Sequence, residues 1–155
     1  MIEVNVATEI AAPAATVWNI LTELDQFAAW NPFIRNARGE LRPGGTVHVR
    51  VHTGIGIPLR FRAKVLDYSE GRELHWRGHF GSRFVASGEH WFELVSLGPE
   101  RVRFRQREQF TGVVPRLGKK LLEREARHGF ELMNEALRER AESSHRASKI
   151  GKAAS

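Results

Sequence analysis

The sequence contains no cysteine, and it also lacks the long apolar runs of membrane proteins. The absence of cysteine excludes disulfides, thiolate catalysis and cysteine-based zinc sites. No run of about 20 apolar residues occurs, so no membrane-spanning helix is predicted. The opening stretch MIEVNVATEI lacks the charged and then apolar layout of a signal peptide. We therefore expect a cytoplasmic protein that begins at Met1.

Signatures of nucleophilic catalysis and of phosphate-binding loops are missing as well. No Gly-x-Ser-x-Gly motif occurs, and Gly54-Ile55-Gly56 does not stand between a strand and a helix. Histidines recur in pairs, but without cysteine they are weak evidence for a metal site. The sequence predicts no metal and no cofactor.

What is present is the composition of a soluble domain. The chain has 155 residues, of which 41% are hydrophobic and 27% charged, and one core is expected for this length. The net charge of +6 is spread along the chain rather than gathered in one stripe, which disfavours nucleic acid as a partner. A transient contact with an anionic membrane stays open, and the oligomeric state is not determined.

The first 30 residues have the pattern of one strand and two short helices. Apolar and polar residues alternate over residues 2–10, which is typical of a half-buried strand. Pro13 suits the first turn of a helix, and Asp25 suits the cap of a second helix. Pro32 restricts Asn31 to extended backbone, so the second helix should end near Trp30.

Residues 34 to 111 alternate in the same way and are divided by glycine-rich turns, which predicts an antiparallel meander of about six strands. One face of the last strand carries four arginines, Arg101, Arg103, Arg105 and Arg107. Burying four unpaired charges would be prohibitive, so this face must be in water. The opposite face, which includes Gln106 and Glu108, then points inward.

A long amphipathic helix is predicted from about Leu117 to Ala141, because apolar residues recur there at three- and four-residue steps. Gly129 lies on or beside its apolar stripe, which either allows close approach to the sheet or leaves room for a ligand. Residues 142–155 have few side chains that could pack, and we expect a polar, disordered tail. Residues 1–141 then form a single ligand-binding domain.

These elements predict an α+β fold. A curved antiparallel sheet of about seven strands wraps around the long C-terminal helix, and two short helices follow the first strand. One helix does not fill such a sheet, so an internal apolar cavity is expected between them.

Several motifs resemble those of one known superfamily. The opening carries Ala12-Pro13, Val17-Trp18 and Trp30-Asn31-Pro32-Phe33, which are similar to the start of START-like helix-grip (SRPBCC) proteins. Later segments, Gly88-Glu89-His90-Trp91-Phe92 and Glu108-Gln109-Phe110-Thr111-Gly112, resemble its polyketide cyclase/dehydrase-like branch. The resemblance covers about residues 2–140.

The resemblance implies a hydrophobic cavity that binds or transports a lipid, a polyketide or a similar apolar molecule. The superfamily contains enzymes, carriers, hormone receptors and chaperone activators, so the fold does not decide among them. We expect a carrier or sensor of an apolar small molecule. The alternative is a polyketide cyclase or dehydratase, and a protein-interaction or chaperone-activator module is a weaker third hypothesis.

His90 and Glu108 are the candidate catalytic residues. A turn at Gly98-Pro99 places His90 opposite about residue 108 of the next strand, where the two side chains would form an ion pair or hydrogen bond. Such a pair either transfers a proton to and from a ligand or only fixes the strand register. A bulge at Gly88 would instead turn His90 outward and Trp91 inward.

The remaining candidates are expected to line the cavity because they fall on apolar faces of the strands and helices. The predicted ligand-binding residues are Trp30, Val49, Phe61, Trp76, Phe84, Phe92, Phe104, Gln106, Leu122, Phe130 and Met133.

Overall fold

The structure is a computed structural model that describes residues 1–82 and 84–155, with side chains for all of these except residue 116. The strands are β1 (Ile2–Ile10), β2 (Ile34–Gly39), β3 (Thr46–His52), β4 (Pro58–Ser69), β5 (Glu73–Phe80), β6 (Ala86–Gly98) and β7 (Arg101–Thr111). The α-helices are α1 (Ala14–Thr22), α2 (Phe27–Trp30), α3 (Val113–Leu117) and α4 (Lys119–Ala154), and a 3₁₀ turn covers Leu24–Gln26. No helix in the described ranges is long and apolar enough to cross a membrane.

The strands form one antiparallel sheet in the order β1-β7-β6-β5-β4-β3-β2. Strands β2 to β7 follow one another as the predicted meander, and β1 then pairs with β7. The short helices α1 and α2 therefore carry the chain from one edge of the sheet to the other. This arrangement confirms the predicted seven-stranded sheet and long C-terminal helix.

The pairing of β6 with β7 confirms the predicted register. His90 lies opposite Glu108, and the ladder is regular from Ser87 to Ser96. The irregularity lies beside the turn, between Ser96 and Gly98, rather than at Gly88. His90 therefore points inward.

Trp91 follows the inward-pointing His90 on a regular strand and therefore faces outward, where an aromatic and a charged neighbour cover its ring. His75 stacks on it with ring centroids 4.3 Å apart, and the Arg107 guanidinium lies 3.9 Å from its centroid. His75 is in turn held by Glu89 at 3.1 Å, and Glu89 also pairs with Arg77. Burial raises the pKa of the Glu89 carboxyl, but its bonds to Arg77 and His75 outweigh this and hold the pKa below its ordinary value.

The other arginines of β7 also face the outer side, as predicted. Arg101 and Arg103 both pair with Glu9 on β1, and Arg105 pairs with Glu93 at 2.7 Å. On the inner side Gln106 is fully buried. The arginine row therefore identifies the inward face of β7 correctly.

Helix α4 is longer than predicted, because it continues to Ala154 instead of ending near Ala141. The disordered tail expected for residues 142–155 is helical in the structure. The segment has no proline, and it is tied to the β6–β7 turn by Glu100, which accepts hydrogen bonds from His145 at 3.1 Å and from Lys149 at 2.5 Å. The helix also starts later than expected, after a break at Gly118 that separates it from α3.

Gly129 on α4 allows close packing of an aromatic ring. A Cβ atom at this position would collide with the ring of Phe33. Phe33 is placed there by a turn in which the Asn31 side-chain oxygen accepts hydrogen bonds from the backbone N–H groups of Phe33 and Ile34, at 3.0 and 2.8 Å. Of the two explanations for Gly129, the structure supports close approach, although the contact is with the segment before β2.

Candidate functional site

An apolar pocket of about 420 Å³ lies between the inner face of the sheet and the first turns of α4. Strands β3 to β7 form one wall, and α3 with the start of α4 forms the other. The volume falls in the range of small-molecule sites. The pocket is partly open to solvent, so a fully enclosed cavity stays a prediction.

Few polar groups interrupt this lining. The ionisable side chains among its described residues are those of His90, Glu108 and Glu125. Each comes from a different element, β6, β7 and α4. A pocket with an apolar wall and a few convergent polar groups is the usual form of a site that binds an apolar molecule in one orientation.

His90 and Glu108 form the expected pair. The Nδ1 atom of His90 lies 3.1 Å from Oε2 of Glu108, and their side chains are only 5% and 16% exposed. Gly88 makes room for the carboxylate, because a Cβ atom there would collide with Oε1 of Glu108. The sequence left open a bulge at Gly88, but in the structure this glycine accommodates the carboxylate of the pair.

The imidazole ring of His90 is held rigidly by aromatic neighbours. Phe92 stacks on it with ring centroids 4.1 Å apart, and Phe130 meets it edge-on at 4.9 Å. Its second nitrogen, Nε2, lies 3.0 Å from Oε1 of Gln106. Both ring nitrogens are therefore engaged.

The hydrogen-bond chain continues from Gln106 into α4. The side-chain amide of Gln106 donates to Oδ1 of Asn134 at 2.7 Å and to the backbone carbonyl of Phe130 at 3.4 Å. Asn134 then donates to Oγ1 of Thr8 at 3.1 Å. Because a backbone carbonyl only accepts, it fixes the orientation of the Gln106 amide and turns its oxygen toward His90.

This orientation defines the proton on His90. Since Gln106 presents an acceptor, Nε2 must carry a hydrogen and donate it. A hydrogen bond across the 3.1 Å between Nδ1 and the Glu108 carboxyl then requires one further proton, present either as imidazolium with carboxylate or as imidazole with carboxylic acid. Both forms are neutral overall, which suits an apolar pocket. Glu108 also lines the pocket, so this proton is within reach of a ligand.

Glu125 is a pocket residue that the sequence reasoning missed. Its Oε2 atom is buried and has no hydrogen-bond partner, and the position of a Cβ on Gly54 would lie 2.5 Å from it. Its other oxygen receives only long hydrogen bonds of 3.3 and 3.4 Å from Arg124. In the sequence, its position beside Ala126 on the apolar stripe of the helix is the feature that indicates a place in the pocket.

The structure places six of the thirteen predicted site residues at the pocket. These are Val49, Phe61, Trp76, His90, Glu108 and Leu122. Five others are buried in the adjoining core, where they pack against one another or hold His90; these are Phe92, Phe104, Gln106, Phe130 and Met133. They support the pocket wall from behind instead of facing the pocket.

The last two candidates are outside the set of residues that line the pocket. Trp30 belongs to α2, packs edge-on against Phe27 at 5.3 Å and borders a different, polar groove. Phe84 is 70% exposed and precedes β6, which starts at Ala86. The alternation that suggested an inward Phe84 therefore extends two residues beyond the strand.

No group of three or more His, Asp or Glu residues has a metal-binding arrangement in the described part of the chain.

Comparisons with known proteins agree with this geometry. The family model for polyketide cyclase/dehydrase and lipid transport proteins matches residues 1–142. No curated protein matches the sequence.

Solved structures share the fold at low sequence identity. A START superfamily protein from Mycobacterium smegmatis is 22% identical with a TM-score of 0.74, over 91% of this chain and 97% of that one. The Zhui aromatase/cyclase from Streptomyces sp. R1128 is 18% identical with a TM-score of 0.71, over 90% and 93%. The di-domain ARO/CYC StfQ from the steffimycin biosynthetic pathway is 15% identical with a TM-score of 0.72, over 92% of this chain and 52% of that one.

Proposed function

The chain belongs to the polyketide cyclase/dehydrase and lipid transport family, and from this premise we propose that it binds an apolar small molecule in the pocket between the sheet and α4. Its role is that of a carrier or sensor of a lipid, a polyketide or a molecule of similar character. The observation that carries the proposal is the pocket itself, about 420 Å³ in volume with a largely apolar lining.

The three ionisable side chains indicate which apolar molecules fit. Glu108 and Glu125 bring acceptors, and Glu125 has a buried oxygen without a donor. A ligand hydroxyl placed against that oxygen would satisfy it, whereas a ligand carboxylate would meet a like charge. The proposed ligand is therefore an apolar molecule that carries at least one hydroxyl group.

The surroundings of the pocket support transient contact with an anionic membrane. Large apolar side chains are exposed on the β3–β4 connection, on α3 and at the start of α4, namely Ile55, Ile57, Val113, Val114, Leu117 and Leu121. Lys119 and Lys120 are exposed beside them. An apolar rim with flanking lysines suits brief insertion at an anionic lipid surface, where an apolar ligand would be loaded or released.

Acid–base catalysis is the second candidate function, and the shared proton of His90 and Glu108 favours it. With a β-hydroxy ketone, the carboxylate form of Glu108 would take a proton from the carbon next to the carbonyl. The pair would then return one proton to the departing hydroxyl, which leaves as water and conserves the proton count. As a cyclase or dehydratase, the protein would lose turnover but keep binding in a Glu108→Gln variant.

Native mass spectrometry of protein purified gently from its own host tests the binding proposal. We expect a small apolar molecule to remain bound to the wild type and to be lost from Ala126→Phe, because Ala126 lines the pocket. Ala136→Phe is the matched control, since Ala136 lies on the same helix and borders the separate polar groove. Absence of bound ligand under several growth conditions, or equal retention by Ala126→Phe, would contradict the proposal.

A further inference from the structure

Two groups of arginines on the outer face of the sheet differ in their partners. Those of β7 have partners: Arg103 shares Glu9, Arg105 pairs with Glu93, and Arg107 covers Trp91. A second group lines a groove of about 620 Å³ on β2 to β5, which we call the arginine groove; it contains Arg38, Arg50, Arg60 and Arg62 with His48, His79 and Asn36. No acidic residue lines this groove in the described part of the chain.

The strand register forces these cations together. Arg50 lies directly opposite Arg60, and Arg62 has His48 on one side and His79 on the other. Side chains directly opposite in an antiparallel pair have Cβ atoms about 4.5–5.5 Å apart, and like charges there destabilise the sheet. The Nε atom of Arg50 is also buried without a hydrogen-bond partner.

No ion pair between described residues involves any of these four arginines, whereas glutamates pair with basic residues of β5 and β7. An anion bound between these cations would offset their mutual repulsion. It would also accept a hydrogen bond from the unpaired Nε–H of Arg50. Guanidinium groups match phosphate oxygens particularly well, because their N–H groups form a planar fork.

We propose that the arginine groove binds a multiply charged phosphate group, carried by a soluble small molecule or by a lipid headgroup. The groove is a poor nucleic-acid site, because its aromatic residue, Phe61, is half-buried and packs on Phe80 at 4.7 Å, which leaves no free ring for base stacking. The charged side chains of the groove lie on the face opposite the apolar pocket, and Val49 and Phe61 are the described residues that line both sites. The inference therefore does not depend on the proposed ligand.

Isothermal titration with sodium tripolyphosphate in low-salt buffer is the direct test. The wild type should bind one equivalent saturably, and Arg60→Gln should bind about tenfold more weakly because one charge-assisted contact is lost. Arg103→Gln is the matched control: it removes the same charge from an exposed, ion-paired arginine and should leave the affinity unchanged. Vesicles of phosphatidylcholine with and without phosphatidic acid, whose headgroup is a phosphomonoester that can carry two negative charges, form the second arm.

A second readout checks the electrostatic argument without any ligand. In low-salt, phosphate-free buffer Arg60→Gln should raise Tm, because it relieves the repulsion by Arg50. Tripolyphosphate should then raise Tm in the wild type and much less in the variant.

Each outcome decides the proposal. Binding of tripolyphosphate, or of phosphatidic acid vesicles alone, supports it when Arg60→Gln weakens the binding, and the arm that responds identifies the soluble or lipid source. Binding that Arg103→Gln weakens equally is diffuse surface attraction and overturns it. Absence of binding in both arms overturns it as well.

Discussion

Replacing Glu108 by alanine probes whether the His90–Glu108 pair is the buried polar centre of the pocket. Removing one partner of a fully buried ion pair costs about 3–5 kcal/mol. Here Glu108 is 16% exposed and lines a pocket that is partly open to solvent, so water can reach Nδ1 in the variant. We therefore expect the free energy of unfolding to fall by about 1–3 kcal/mol, the cost of an incompletely compensated polar group.

Glutamine at the same position should behave differently. Its amide N–H can donate to Nδ1 of a neutral imidazole, while Nε2 of His90 continues to donate to Gln106. All partners remain satisfied, so Glu108→Gln should cost less than about 1 kcal/mol.

Urea denaturation at pH 7 measures both variants, and an unchanged slope with denaturant shows that the unfolded states are comparable. Glu93→Ala is the control, because it breaks a pair with the 43% exposed Arg105 and should cost less than about 1 kcal/mol. The reasoning is refuted if Glu108→Ala lies within experimental error of the wild type, or if Glu108→Gln is as costly as alanine.

Three further substitutions test other parts of the structure. Gly129→Ala should destabilise the protein by about 1–3 kcal/mol through overpacking against Phe33, and a second change of Phe33 to leucine should restore part of the loss in thermal melts. Glu100→Ala should increase amide hydrogen exchange over residues 145–154 only. Hydrogen bonds to its two basic partners on α4 hold the pKa of Glu100 below its ordinary value, so the wild-type contact should persist at neutral pH and weaken as pH falls through that lowered pKa. Glu125→Gln should improve the binding of an apolar carboxylate about tenfold relative to an alcohol of the same skeleton, as measured by calorimetry, because it removes a like charge; an unchanged ratio would place Glu125 outside the ligand's reach.

The sheet could be predicted because its signals are local and redundant. Alternation defines each strand, the row of arginines on β7 identifies the outer face, and the short Gly98-Pro99 turn fixes the register. These three together place His90 opposite Glu108 without any knowledge of long-range packing.

The end of α4 depends on distant contacts and was therefore predicted wrongly. After Leu137 the sequence offers few apolar side chains, which suggested a disordered tail. The structure holds this part of the helix through Glu100 on the β6–β7 turn, far away in sequence. Periodicity within the helix contains no information about such a partner.

The sequence also does not predict where the buried core ends and the pocket begins. Inward residues of β6, β7 and α4 look alike in the pattern, but Phe92, Phe104 and Phe130 are buried in the core and do not line the pocket. The empty volume lies instead toward β3 to β5 and α3. The position of this volume depends on where α4 crosses the sheet. For the same reason Glu125, on the same stripe as Ala126, is not identifiable as a pocket residue from the pattern alone.

The central claim is that the space between the sheet and α4 is a ligand site, and binding of a neutral apolar fluorophore tests it most directly. N-phenyl-1-naphthylamine should bind the wild type and Ala136→Phe saturably, with one molecule per chain. Ala126→Phe should bind it at least about tenfold more weakly, because the added ring occupies the pocket. Equal binding by all three proteins, or no saturable binding by the wild type, would contradict the account.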